Sequence, residues 1–246
     1  MTAKPPSHLI GKVLSPAVRL WLRSQVEAVE TLEFAIAGGN RQILSGYIPE
    51  ISLAARRAVY QGLHLTQVQL RGENIRANLG QAIKGKPLRL LEPIQVAGEV
   101  LLDRDDLQAS LSAPLLDAGI KDVLSMLMDE AGAKNAAQVV RDWSIAWQNI
   151  SIARAPSEQC EPRLVLTGSV ANRAAETVPI SLCTNLEVVG GHFLHLYDLE
   201  IEAESLLTTA RLESFKIDLG ADVELEELLL QPEQIAVRGA LKVIPE

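Results

Sequence analysis

The stretch of this chain closest to a chemical signature is GQAIKGKP, residues 80–87. It stands one residue from G-x-x-x-x-G-K-[ST], a loop that wraps phosphates in backbone N–H groups and supplies a hydroxyl to magnesium. Proline at position 87 removes that hydroxyl and disfavours helical geometry at Lys86. The LRLLEP that follows extends rather than opening the helix whose first N–H groups would hold phosphates. Nucleotide chemistry therefore does not fit, and the stretch reads as a tight basic loop between strands. Arg71, Arg76, Lys84, Lys86 and Arg89 put five positive charges around it against one nearby acid, Glu73. Such a loop suits anionic headgroups, or simply water.

Other chemistry-bearing residues form no signature. There is no HExxH, CxxC or GxSxG. His192 and His195 lie three apart in a predicted strand, on opposite faces, where they cannot share a metal. Asp103, Asp105 and Asp106 lack the spacing and glycine of a calcium loop and read as a helix cap. The groups Glu200, Glu202, Glu204 and Glu224, Glu226, Glu227 read as solvated strand faces, although spacing alone leaves paired-carboxylate hydrolysis of sugars open. Trp143 and Trp147 suit core packing or an apolar pocket wall.

Composition narrows the class. At 246 residues and 48% hydrophobic, the chain can bury one substantial core or two modest ones. Aromatics are 4%, so that core is built from Leu, Ile, Val and Ala. No apolar run approaches the eighteen residues of a membrane span. The net charge of −8 argues against nucleic acid. Charge is segregated: net +5 over residues 1–102, −4 over 103–142 and −9 over 143–246. A molecule so polarised meets an anionic surface basic end first. The start of the chain has no apolar h-region, and Cys160 and Cys183 could pair but read better as free thiols of a reducing compartment, so a cytoplasmic location, peripheral to a membrane, is expected.

The elements that would position these residues follow from periodicity. Over residues 8–26, Ile10, Val13, Leu14, Ala17, Val18, Trp21 and Leu22 follow helical spacing, interrupted by Pro16. Residues 1–26 carry Lys4, Lys12, Arg19 and Arg23 and no acid, the profile of an amphipathic helix that lies in a membrane interface or packs on its own sheet. From about Thr31 the period becomes two, giving a first β meander over 27–102 joined by short Gly-containing turns. A helical block follows over 103–142, with Gly119 and Gly132 as breaks, then a second meander over 143–246. LHLTQVQL at 63–70 aligns with LHLYDLEI at 194–201, and both shift their apolar set by one residue after the third position. Such a shift reverses the faces of a strand unless a bulge absorbs it.

YQGLHLTQVQLRGENIRANLGQAIKGKPLRLL and GEVLLDRDDLQASLSAPLL resemble the LmeA-type phospholipid-binding family of bacteria. The resemblance spans roughly residues 20–244. It rests on the Gly62-Leu63 strand start, the pattern at Leu102, Asp106, Leu107 and Leu111, and the closing IAVRGALKV at 235–243. It implies an α+β fold in which a long curved antiparallel sheet and helices enclose an apolar groove, and phospholipid binding in the cell envelope. The matching motifs define no catalytic signature, and no active-site residues carry over from it. The chain departs from exported members in lacking a recognisable signal sequence.

The combined expectation is a single lipid-binding domain over 1–246, non-catalytic and without cofactor or metal. A phospholipid or other acyl lipid would lie on Leu32, Phe34, Ile36, Leu63, Leu65, Val68 and Leu70. Lys12, Arg19, Trp21, Arg23, Lys84, Lys86 and Arg89 would meet headgroups or an anionic membrane surface. The rival readings are an assembly factor that takes a protein partner in the groove or along sheet edges, and an enzyme acting on lipids or glycans.

Overall fold

A computed structural model describes residues 23, 26–82, 86–87, 89–130, 144–153, 162–171, 177–203 and 207–245. Eleven strands and four helices are assigned within them. In chain order these are β1 (Ala28–Ala37), α1 (Asn40–Leu44), β2 (Tyr47–Tyr60), β3 (Leu63–Arg76), α2 (Leu79–Ala82), β4 (Ile94–Asp103), α3 (Arg104–Ser110) and α4 (Pro114–Glu130). Then follow β5 (Ser144–Ala153), β6 (Arg163–Ala171), β7 (Thr177–Val189), β8 (Phe193–Ala203), β9 (Leu207–Asp218), β10 (Val223–Gln231) and β11 (Gln234–Val243).

The expected single long sheet is replaced by two. The first has six strands in the order β1-β2-β3-β4-β11-β10, and the second has five in the order β5-β6-β7-β8-β9. All pairings are antiparallel. The closing hairpin β10–β11 leaves the second meander and pairs against β4 along its whole length, from Gln234↔Asp103 to Val243↔Ile94. Alternation marks a strand without naming its partner, and this long-range pairing is what the sequence pattern could not supply.

Helices serve the sheets as caps. Asp103 caps α3 as expected, accepting the Asp106 N–H at 2.8 Å. Gly119 does not break the helical block. The break falls at 111–113, before Pro114, whose fixed φ suits the first position of α4. Leu116, Ile120, Val123 and Leu124 then share one helical face and pack on the second sheet's core, where Leu124 is fully buried. Gly132 lies outside the described residues.

Candidate functional site

The shift in the apolar set of β3 is shared in step by β2 beside it and by β1 beyond. Leu65 and Val68 on β3, Ala55 and Ala58 on β2, and Val29 and Leu32 on β1 are odd-spaced pairs, yet all six belong to one cluster. Their registers match across the sheet: Val29↔Ala58↔Leu65 and Leu32↔Ala55↔Val68. No bulge intervenes here; Arg57, at φ 46°, reverses the pleat. In the second sheet the corresponding shift in β8 is absorbed differently. Asp198, at φ 48°, forms a bulge against β7 between Cys183 and Asn185. There Arg163 ties down the freed Asp198 carbonyl at 2.7 Å.

Pleat reversal keeps one side of the first sheet apolar for the length of β2 and β3, each 14 residues or roughly 45 Å. Leu32, Leu53, Leu65, Leu70 and Val100 lie half-buried on this side around Ala55, Ala58 and Val68. Phe34, opposite Leu53, continues the row to Ile36 and Ile51, which pack against a second cluster of Ile43, Ile48, Ile75, Ala77 and Leu79. Of the seven residues expected to hold acyl chains, the structure brings Leu32, Leu65, Val68 and Leu70 together. Phe34 and Ile36 extend that row, and Leu63 is half-buried at the opposite end of the sheet beside Tyr60. The second sheet differs: its apolar side is closed by α3 and α4 around Leu111 and Leu124.

The polar residues at the reversal form a connected joint with α3. The Thr66 hydroxyl donates to Asp106 Oδ2 at 2.6 Å and accepts the Asp103 N–H at 2.7 Å. Arg57 lies 3.8 Å from both Asp106 and Glu30. The Ser110 hydroxyl accepts the His64 N–H at 2.8 Å. Asp106 is thus a buried tie as well as a first-turn acid, a role its place in DRDD did not signal. From α3, Gln108 clasps β5, donating to the Gln148 carbonyl and accepting the Ile150 N–H. Beside it, a cleft of about 630 Å³ is lined by Asp103, Arg104, Asp105, Gln108, Asn149 and Glu233. Those walls are polar and unsuited to a hydrocarbon chain.

GQAIKGKP lies in the connection between β3 and β4, with residues 80–82, 86 and 87 described. Its short helix α2 precedes the glycine-lysine pair instead of following it, and Lys86 N–H returns to the Gln81 carbonyl at 3.2 Å. Charges around the loop divide into two sets. Arg71 is held by Glu50 at 2.8 Å and Glu73 at 3.1 Å, and Arg76 by Glu92 at 3.4 Å. Lys86 and Arg89 are exposed. Arg23 is exposed as well, while Lys12, Arg19, Trp21 and Lys84 lie outside the described residues.

One polar trio has the order of an acid, a base and a nucleophile. Glu187 Oε1 meets His195 Nδ1 at 2.6 Å, and His195 Nε2 meets Ser214 Oγ at 2.8 Å. The three stand on neighbouring strands of the second sheet, opposite its apolar core, with Glu187 and Ser214 exposed. His195 sits on β8, an inner strand paired on both sides, where backbone N–H groups serve the ladder. The trio reads as a cross-strand clamp.

Residues 7–240 match the family described as LmeA-like phospholipid-binding. The chain belongs to this family. No curated protein and no solved structure matches it. The LmeA-like family is described by phospholipid binding. No helix among the described residues of this LmeA-like chain is long and apolar enough to cross a membrane.

Proposed function

We propose that the protein binds and carries phospholipid, laying acyl chains along the apolar side of the first sheet. The observation that carries this reading is membership in a phospholipid-binding family across residues 7–240. The half-buried row of Leu32, Phe34, Ile36, Leu65 and Leu70 supports it, because these side chains retain accessible apolar surface on a continuous strip. Acyl chains gain about 0.8 kcal/mol per buried CH₂ on such a strip, with no directional contacts needed. Lys86 and Arg89 stand at the end of the sheet towards which the strip runs and would meet the headgroup phosphate there.

The test is lipid mass spectrometry on solvent extracts of the purified protein, followed by uptake from liposomes. The wild type is expected to carry phospholipid. Leu32→Gln with Leu65→Gln is expected to take up at least about tenfold less, from the loss of two apolar contacts of roughly 1 kcal/mol or more each. A wild type with neither co-purified lipid nor uptake overturns the proposal.

A further inference from the structure

One end of the first sheet gathers two loops and the end of β11. Strand β1 ends there and returns through α1 to β2, β3 turns through α2 into β4, and β11 terminates beside the start of β4. The Ala77 N–H donates to the Gly46 carbonyl at 2.9 Å and joins the two loops, and within the second the Leu91 N–H donates to the Arg76 carbonyl at 2.8 Å. Val243 pairs with Ile94, which places Ile244 at the same end.

Among the described residues the most exposed large hydrophobic side chains are Leu91 at 60%, Ile244 at 56%, and Leu44 and Met126 at 53% each. Leu91, Ile244 and Leu44 stand at this end, and Met126 lies on α4. Singly, such residues are ordinary surface; here Leu44 and Leu91 stand on two hydrogen-bonded loops and Ile244 at the same sheet end, a grouping of the kind that marks an interaction site. Their base is firm. Ile43, the neighbour of Leu44, is buried in the cluster with Ile75 and Leu79, and Leu90, the neighbour of Leu91, packs on it.

Among the described residues, three cations at this end lack an ionic partner. Arg41, Lys86 and Arg89 are exposed and form no ion pair among the described residues. Glu50, Glu73 and Glu92 are taken up by Arg71 and Arg76. Asp222 lies at the far β10 side, where its carbonyl accepts the Lys242 N–H. Unpaired cations around protruding aliphatic side chains complement an interface that is anionic outside and apolar just beneath.

We propose that this end of the first sheet docks on an anionic bilayer, with Leu44, Leu91 and Ile244 entering the interface and Arg41, Lys86 and Arg89 on lipid phosphates. This deepens the phospholipid reading by naming the surface through which lipid would reach the strip. The strands then stand upright on the membrane, and the strip of Ile36, Phe34 and Leu32 leads away from it.

The experiment is flotation of the full-length protein with vesicles of phosphatidylcholine alone and of phosphatidylcholine with phosphatidylglycerol. The wild type is expected to float with the anionic vesicles. Leu44→Ser with Leu91→Ser should lower partitioning at least about tenfold. Arg41→Ser, Lys86→Ser and Arg89→Ser together should lower it by about fivefold per residue at low salt, and flatten its salt dependence. A wild type that does not float, or both variants floating like the wild type, overturns the docking proposal. Lipid content measured on the same preparations separates the two readings. Tip variants that keep their co-purified lipid but lose flotation support docking; a lipid-free wild type that still floats sinks only the carrier reading.

Discussion

The hydroxyl of Thr66, on β3 at the pleat reversal, donates to the buried carboxyl of Asp106 on α3 at 2.6 Å. The same hydroxyl accepts the N–H of Asp103, whose side chain caps that helix. One side chain therefore couples the irregular point of the first sheet to the start of the helical block. A reversal in mid-sheet turns polar groups towards packed elements, and such groups are costly unless each finds a partner.

Thr66→Val keeps the shape and removes the hydroxyl, leaving Asp106 Oδ2 and the Asp103 N–H without this partner. Urea denaturation should show a loss of about 1–3 kcal/mol, and Thr66→Ser should recover most of it. Equal stability of the Val and Ser variants would mean that the joint contributes no net stability.

Two glycines should respond to alanine with opposite signs. A Cβ on Gly239, in β11 opposite the β10 bulge, would lie 2.8 Å from Leu225 Cα and collide with the Glu224 carbonyl. Gly239→Ala should cost about 1–3 kcal/mol, because backbone must move. Gly119 in α4 faces open space. Gly119→Ala should stabilise the protein by about 0.5–1 kcal/mol through helix propensity. Thermal unfolding of the pair checks both signs.

Cys183 is unpaired and half-buried on β7. Burial pushes its thiol up, Arg163 pulls against that, and Glu200 adds to the rise. The thiolate is the reactive form, so alkylation by iodoacetamide should need more alkaline pH than an exposed cysteine does. In a Cys160→Ser background the midpoint of the rate should lie above the ordinary cysteine value of about 8.5. Arg163→Gln should move it higher still. A midpoint at or below the ordinary value contradicts the burial of this thiol.

The sequence by itself determined the local layer. Alternation located the strands around Leu63, Leu65 and Leu70, and Asp103 announced its helix by the chemistry of a cap. Pro87 denied the near-phosphate loop its function. These features act within a few residues, where sterics and one hydrogen bond decide the conformation. The one-residue shift in LHLTQVQL was also legible, but its resolution was not: Arg57 reverses the pleat in one sheet, and Asp198 bulges in the other. Tertiary structure alone decided that β10 and β11 close the first sheet, which acids silence Arg71 and Arg76, and that Leu44, Leu91 and Ile244 stand at one end. Those outcomes depend on which distant strands pair, and a period-two pattern offers the same face to every candidate partner. Partner choice is settled by the packing of whole sheets, and no short stretch of sequence contains that information.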